Sequence, residues 1–170
     1  LFGGFDATSA TLADTWQFDG STWTQVASTG PSPRFAAAMA YDPARATTVL
    51  VGGYGGGIKN DTWVWDGAVW IHQPAATLAG RYYAAAAFSP DRGRIVVHGG
   101  AGSTILNTEY SWTGVGWQLE STPTSTTARW AHAMSHDPIA NCMLVTGGAG
   151  TALTRFADAW SKSAAPIITL

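Results

Sequence analysis

An arginine followed at once by an aromatic ring occurs at Arg34-Phe35, Arg81-Tyr82 and Arg129-Trp130, with steps of 47 and 48 residues. A guanidinium is a planar fork of donors, and an aromatic face stacks on cations and flat groups. Gathered at one place, these pairs could form a ring that holds an anionic or sugar-like ligand, with Tyr54, which directly follows a Gly-Gly pair, beside it. The candidate ligand-binding residues are therefore Arg34, Phe35, Tyr54, Arg81, Tyr82, Arg129 and Trp130. The competing use of each arginine is architectural, bonding backbone carbonyls or an Asp between repeats.

Other chemistry is sparse. His132 and His136 stand four apart in WAHAMSHDP, which on a strand separates them by roughly 13 Å along one face. That spacing suits no shared metal, so structural roles are expected, His132 in a strand and His136 at its turn. Cys142 is the only cysteine and reads as an inert buried thiol. There is no Gly-x-Ser-x-Gly elbow, and the Gly55-Gly56-Gly57 run is followed by no helical pattern that would make it a phosphate cradle. No catalytic residue, metal or cofactor is expected.

Composition narrows the partners. Among 170 residues, Lys plus Arg total 9 and Asp plus Glu 11, too few cations to neutralise a phosphate backbone, so nucleic acid is not expected. No stretch approaches the roughly 18 uninterrupted apolar residues of a membrane-spanning helix, and no membrane partner is expected. Twenty Gly and nine Trp suit short strands and tight turns, and a secreted or cell-surface setting is favoured.

Those strands come as a repeat. Gly-Gly pairs close apolar runs at Gly3-Gly4, Gly52-Gly53, Gly99-Gly100 and Gly147-Gly148, and Trp23, Trp70 and Trp117 are each 47 apart. Three markers with one period define a repeat architecture. In the second copy, strands are predicted near 35–41, 48–53, 62–66 and 69–73. Asp66-Gly67, like Asp19-Gly20, marks the last hairpin because Gly accepts positive φ.

The order of Gly-Gly, aromatic and Trp, at Gly52, Gly53, Trp63 and Trp70, resembles the kelch repeat in its bacterial wording, DTWVWDGAVW. The third copy departs, with Asn107-Thr108-Glu109-Tyr110 in place of Asp-Thr-Trp. The resemblance implies an all-β propeller segment in one domain, made of four-stranded antiparallel blades. The blades would be 1–26 (incomplete), 34–73, 81–120 and 129–170 (incomplete), with Trp side chains in the wedges between them. Small residues at 36–38 and 84–87 would form inner strands covered on both faces. About three and a half blades leave flanks to be covered, either by a homodimer that completes the ring or by the remainder of a longer chain. The tail at 167–170 is a candidate missing strand. The implied function is a non-catalytic binding scaffold, its protein or carbohydrate ligand held by the Arg-aromatic ring and by the loops at 5–13, 54–60, 101–106 and 149–156. The alternatives are an enzyme, glycan-active or like the copper radical oxidases of this fold, and a structural module of a longer secreted protein. Spacing ties no Tyr or His cluster to Cys142 as the oxidase would require.

Overall fold

The turns of this chain are made by short polar side chains bonding their own backbone. In the computed structural model, Asp19 Oδ1 accepts the N–H groups of Ser21 and Thr22, both at 2.8 Å, and Asp66 Oδ1 accepts those of Ala68 and Val69 at 2.8 Å. The glycines that follow, Gly20 and Gly67, have φ of 104° and 105°, which a side chain would resist. Each turn joins the last two strands of a sheet.

The structure describes residues 1–74, 78–120 and 126–162, and these form four antiparallel sheets. The first holds β1 (Phe2–Phe5), β2 (Thr11–Phe18) and β3 (Trp23–Ala27). The second holds β4 (Ala38–Asp42), β5 (Thr47–Val51), β6 (Thr62–Trp65) and β7 (Trp70–His72). The third holds β8 (Ala85–Ser89), β9 (Arg94–His98), β10 (Glu109–Trp112) and β11 (Trp117–Leu119). The fourth holds β12 (Ala133–Asp137), β13 (Cys142–Thr146) and β14 (Ala159–Lys162). Strands pair in chain order, so every sheet is a meander and the protein is all-β and blade-like. The first strands stand side by side, β4 against β8 and β8 against β12.

The core lies between the second and third blades. Ala38, Val49 and Val51 meet Ile95, Val97, Trp112 and Trp117, with Ala84, Ala86 and Phe88 packed against them. Two kinds of hydrogen bond stitch each boundary. The N–H groups of Gly4, Gly53 and Gly100 donate to the carbonyls of Arg34, Arg81 and Arg129 in the following blade at 2.8–2.9 Å. The N–H groups of those arginines donate back to Leu12, Lys59 and Leu106. The outer Trp adds a third tie: Trp70 Nε1 donates to Thr15 Oγ1, and Trp117 Nε1 to Thr62 Oγ1, both at 2.9 Å. Trp23, with no blade before it among the described residues, is 51% exposed.

Several expectations shift. The first strand of the second blade begins at Ala38, not at 35, because Ala36 takes a left-handed φ of 53° that breaks the strand. Phe35 forms only an isolated bridge with Tyr54. The segment 5–13 is not one loop, since β1 ends at Phe5 and β2 starts at Thr11. His136 lies within β12 rather than at its turn, bonded to Asn141 Oδ1 at 3.3 Å, and His132 directly precedes that strand. Double coverage of the inner strands fits β8 but not β4, whose Met39 and Tyr41 are 38% and 55% exposed. The tail at 167–170 lies outside the described residues.

Candidate functional site

Each arginine of the Arg-aromatic pairs is at most 1% exposed. Arg34 donates to the Gly52 carbonyl at 2.9 Å and places both terminal nitrogens on Asp61, at 2.5 and 2.8 Å. Arg129 repeats this with the Gly147 carbonyl and Asp158, the carboxylate contacts being 2.8 and 2.9 Å. Arg81 keeps the carbonyl contact, to Gly99 at 3.0 Å, but meets Thr108 Oγ1 at 3.3 Å where the others meet a carboxylate, and lies 5.1 Å from the Tyr110 ring centre. Burial pulls the Arg81 guanidinium down to about 10, so it stays charged at neutral pH. Burial alone would raise the Asp61 carboxyl, yet the bonds from Arg34 and Trp63 hold it below the usual range. These partners belong to the arginine's own blade, and the Nε of each arginine donates to the carbonyl two residues before it, at Ser32, Ala79 and Thr127. The guanidinium groups of Arg34, Arg81 and Arg129 therefore brace blades from within and offer no ligand-facing fork; the expected ties between repeats run through their backbones instead.

Their aromatic neighbours behave differently. The residue two after each arginine has a left-handed φ: Ala36 at 53°, Tyr83 at 54° and Ala131 at 53°. Here the N–H of Tyr83 donates to the Ala36 carbonyl at 2.8 Å, and that of Ala131 to the Tyr83 carbonyl at 2.9 Å, linking three blades in sequence. Because all three copies share it, the strain belongs to blade architecture rather than to Tyr83 alone. The kink sends the arginine inward and leaves the aromatics near the surface.

These rings touch. Phe5 lies 4.3 Å from Phe35, Phe35 is 5.6 Å from Tyr54, and Tyr54 is 5.5 Å from Tyr82. Tyr82 continues to Tyr83 at 5.4 Å, and Tyr83 to Trp130 at 5.4 Å, while Phe35 and Tyr83 close a loop at 6.2 Å. The result is a ribbon of six rings drawn from all four blades. Phe5, Tyr54 and Tyr83 are exposed, and Phe35, Tyr82 and Trp130 are half-buried. No hydrogen bond engages the phenol oxygens of Tyr54, Tyr82 or Tyr83 among the described residues. Such a surface offers C–H-binding faces together with neutral hydroxyls.

The structure thus gathers Phe35, Tyr54, Tyr82 and Trp130 and turns Arg34, Arg81 and Arg129 away. Sequence reasoning overlooked Tyr83 and Phe5 as ring members. The second aromatic of Arg81-Tyr82-Tyr83 was the available signal for one; the other directly follows Gly3-Gly4 as Tyr54 follows Gly52-Gly53 and opens the candidate loop at 5–13, but was not singled out.

A second cluster joins the third and fourth blades. His98 Nδ1 sits 3.2 Å from His132 Nε2, and His98 Nε2 sits 3.1 Å from Thr126 Oγ1. Burial pushes His98 down to about 4, Glu109 opposing this and Arg129, Arg81 and Lys162 adding to it. Burial, His98 and Arg129 push His132 to about 3. Both rings are neutral at pH 7, and His132 Nδ1 is buried without a partner among the described residues. The preceding boundary has Val51 and Ala84 at these positions, so the pair is a local substitution in a shared joint. Cys142 is buried in β13. Among the described residues, no three His, Cys, Asp or Glu side chains converge on a metal-sized site. Comparison with models of known protein families and with curated proteins returned no match.

Proposed function

We propose that this chain is a non-catalytic binding scaffold, a kelch-like propeller segment whose aromatic ribbon holds a neutral carbohydrate. The observation that carries the reading is the continuity of Phe5, Phe35, Tyr54, Tyr82, Tyr83 and Trp130 across four blades. Sugar rings present C–H faces and hydroxyls, and rigid aromatics with free phenol groups bind both at low entropic cost. With their guanidinium groups bonded within the blades, Arg34, Arg81 and Arg129 give the ribbon no fixed cation for an anionic ligand. The Gly-Gly, Asp-Gly and Trp markers, recurring at equivalent places in successive blades, support the kelch-like assignment.

The test is titration of the chain with neutral cello-, manno- and chito-oligosaccharides, read by Trp and Tyr fluorescence. Saturable binding is expected, weakened at least about tenfold in Tyr83→Ala and Tyr54→Ala and less in Tyr83→Phe. Absence of binding across the panel at millimolar concentrations overturns the carbohydrate reading.

A further inference from the structure

One backbone position carries alanine in the second and fourth blades and tyrosine in the third. Ala36, Tyr83 and Ala131 share a left-handed φ of 53° or 54°, and the joint they build is made by main chain alone. Tyr83 N–H donates to the Ala36 carbonyl at 2.8 Å, and Ala131 N–H to the Tyr83 carbonyl at 2.9 Å. Alanine serves this joint in both neighbouring blades, so blade architecture does not require the Tyr83 side chain. Its hydroxyl makes no hydrogen bond among the described residues, and its ring is exposed.

What that ring does is connect others. Tyr83 meets Phe35 of the second blade at 6.2 Å, Tyr82 of its own blade at 5.4 Å and Trp130 of the fourth at 5.4 Å. Among the described residues it is the one ring in contact with Trp130, so without it the ribbon divides, with Phe35, Tyr54 and Tyr82 on one side and Trp130 alone on the other. The rings are also turned against each other. Tyr83 is inclined 48° to Tyr82, 48° to Trp130 and 66° to Phe35. A sugar ring lying flat on one of them therefore cannot lie flat on the next, and contact with several rings needs several sugar units, each turned relative to its neighbour. Once one unit is seated the next binds as an intramolecular step, so each further ring that is reached multiplies the affinity.

We propose that Tyr83 makes the ribbon selective for ligand length: by joining the Phe35 and Tyr82 side to Trp130 it creates a site for a single soluble oligosaccharide chain with turned successive units, in preference to a monosaccharide or the flat face of a crystalline polysaccharide. The inference rests on the carbohydrate reading of the ribbon. A disaccharide is accommodated by Phe35, Tyr54 and Tyr82 without Tyr83, whereas a longer chain must cross Tyr83 to reach Trp130. The flat face of the ring supplies most of this bridge and the phenol oxygen adds a polar contact.

The experiment compares the parent chain with Tyr83→Ala and Tyr83→Phe by calorimetry, using cello-, manno- and chito-oligosaccharides from disaccharide to hexasaccharide, with microcrystalline cellulose and chitin assayed by depletion from solution. In the series that binds, parent affinity is expected to rise at least about tenfold from disaccharide to hexasaccharide. Tyr83→Ala should leave the disaccharide within about twofold of the parent and bring the hexasaccharide down to nearly the same value, while Tyr83→Phe keeps the rise. A purely structural role would weaken short and long ligands alike, so the ratio between them is the decisive readout. Tyr83→Leu, which keeps apolar bulk without a flat face, should lose the rise as well and decides the test if Tyr83→Ala does not fold. Parent binding that does not rise with length, an equal loss for short and long ligands in the variant, or preferential capture by the crystalline polymers overturns this proposal and leaves the carbohydrate reading standing. Absence of binding by the parent to every soluble ligand at millimolar concentrations overturns both.

Discussion

Trp117 on β11 donates its indole N–H to Thr62 Oγ1 on β6 of the preceding blade at 2.9 Å, and both residues are buried. The bond joins a large apolar side chain to a hydroxyl that water does not reach, so the joint between these blades needs both the ring and its nitrogen.

Trp117→Ala is expected to cost about 3–5 kcal/mol through cavity formation. Trp117→Phe, which keeps most of the packing but strands the Thr62 hydroxyl, should cost about 1–3 kcal/mol. Trp23, at the same repeat position but half exposed, should tolerate alanine at a cost of about 1 kcal/mol or less. Urea denaturation of the three variants measures the order.

Gly52 and Gly147 share a left-handed backbone, with φ of 69° and 64°, so alanine costs about 1–2 kcal/mol at either. A Cβ on Gly52 would also collide with the carbonyl oxygen of Arg81 in the next blade, whereas one on Gly147 meets nothing closer than the Phe156 carbonyl at 3.6 Å. Gly52→Ala should therefore be the more damaging by a further 1–3 kcal/mol or so, as thermal unfolding of the two variants would show.

Arg81 is the buried arginine that meets Thr108 where its repeat partners meet Asp. Thr108→Asp supplies the missing carboxylate and is expected to stabilise the chain by about 1–2 kcal/mol at neutral pH. The gain should vanish as the pH falls through the carboxylate range. A lower denaturation midpoint at pH 7 would contradict it.

The His98–His132 pair makes stability depend on pH. Burial lowers the two rings to about 4 and about 3 in the folded chain, while unfolded histidine titrates near 6.5. As the pH falls below about 6.5 the unfolded chain takes up protons first, so stability is complete above that value and is lost progressively toward pH 3–4. Each histidine contributes up to about 1.4 kcal/mol per pH unit within the window. Asp61 and Glu109, both held below the usual carboxylate range against the opposing effect of their own burial, add their loss only as the pH drops through that range. Denaturation curves between pH 7 and 4.5 should slope for the parent and flatten for His98→Val with His132→Ala, which installs the side chains found at Val51 and Ala84.

Much of this was legible from residue order alone. The four-strand period, the Asp-Gly hairpins and the Gly-Gly ends depend on local chemistry: a carboxylate that bonds its own turn, a glycine that accepts positive φ, a β-branched run that suits a strand. Such preferences act over a few residues and repeat when the residues repeat. The identity of the arginine partners was not legible, because Arg34 and Asp61 lie 27 apart in the chain and meet only once strands have paired.

What the amino-acid order determined was the module and its number of copies. Tertiary structure alone decided which half of each Arg-aromatic pair faces outward. That choice rests on a left-handed residue at Ala36, Tyr83 and Ala131, a conformation ordinary side chains disfavour and one held here with the help of backbone bonds between neighbouring blades.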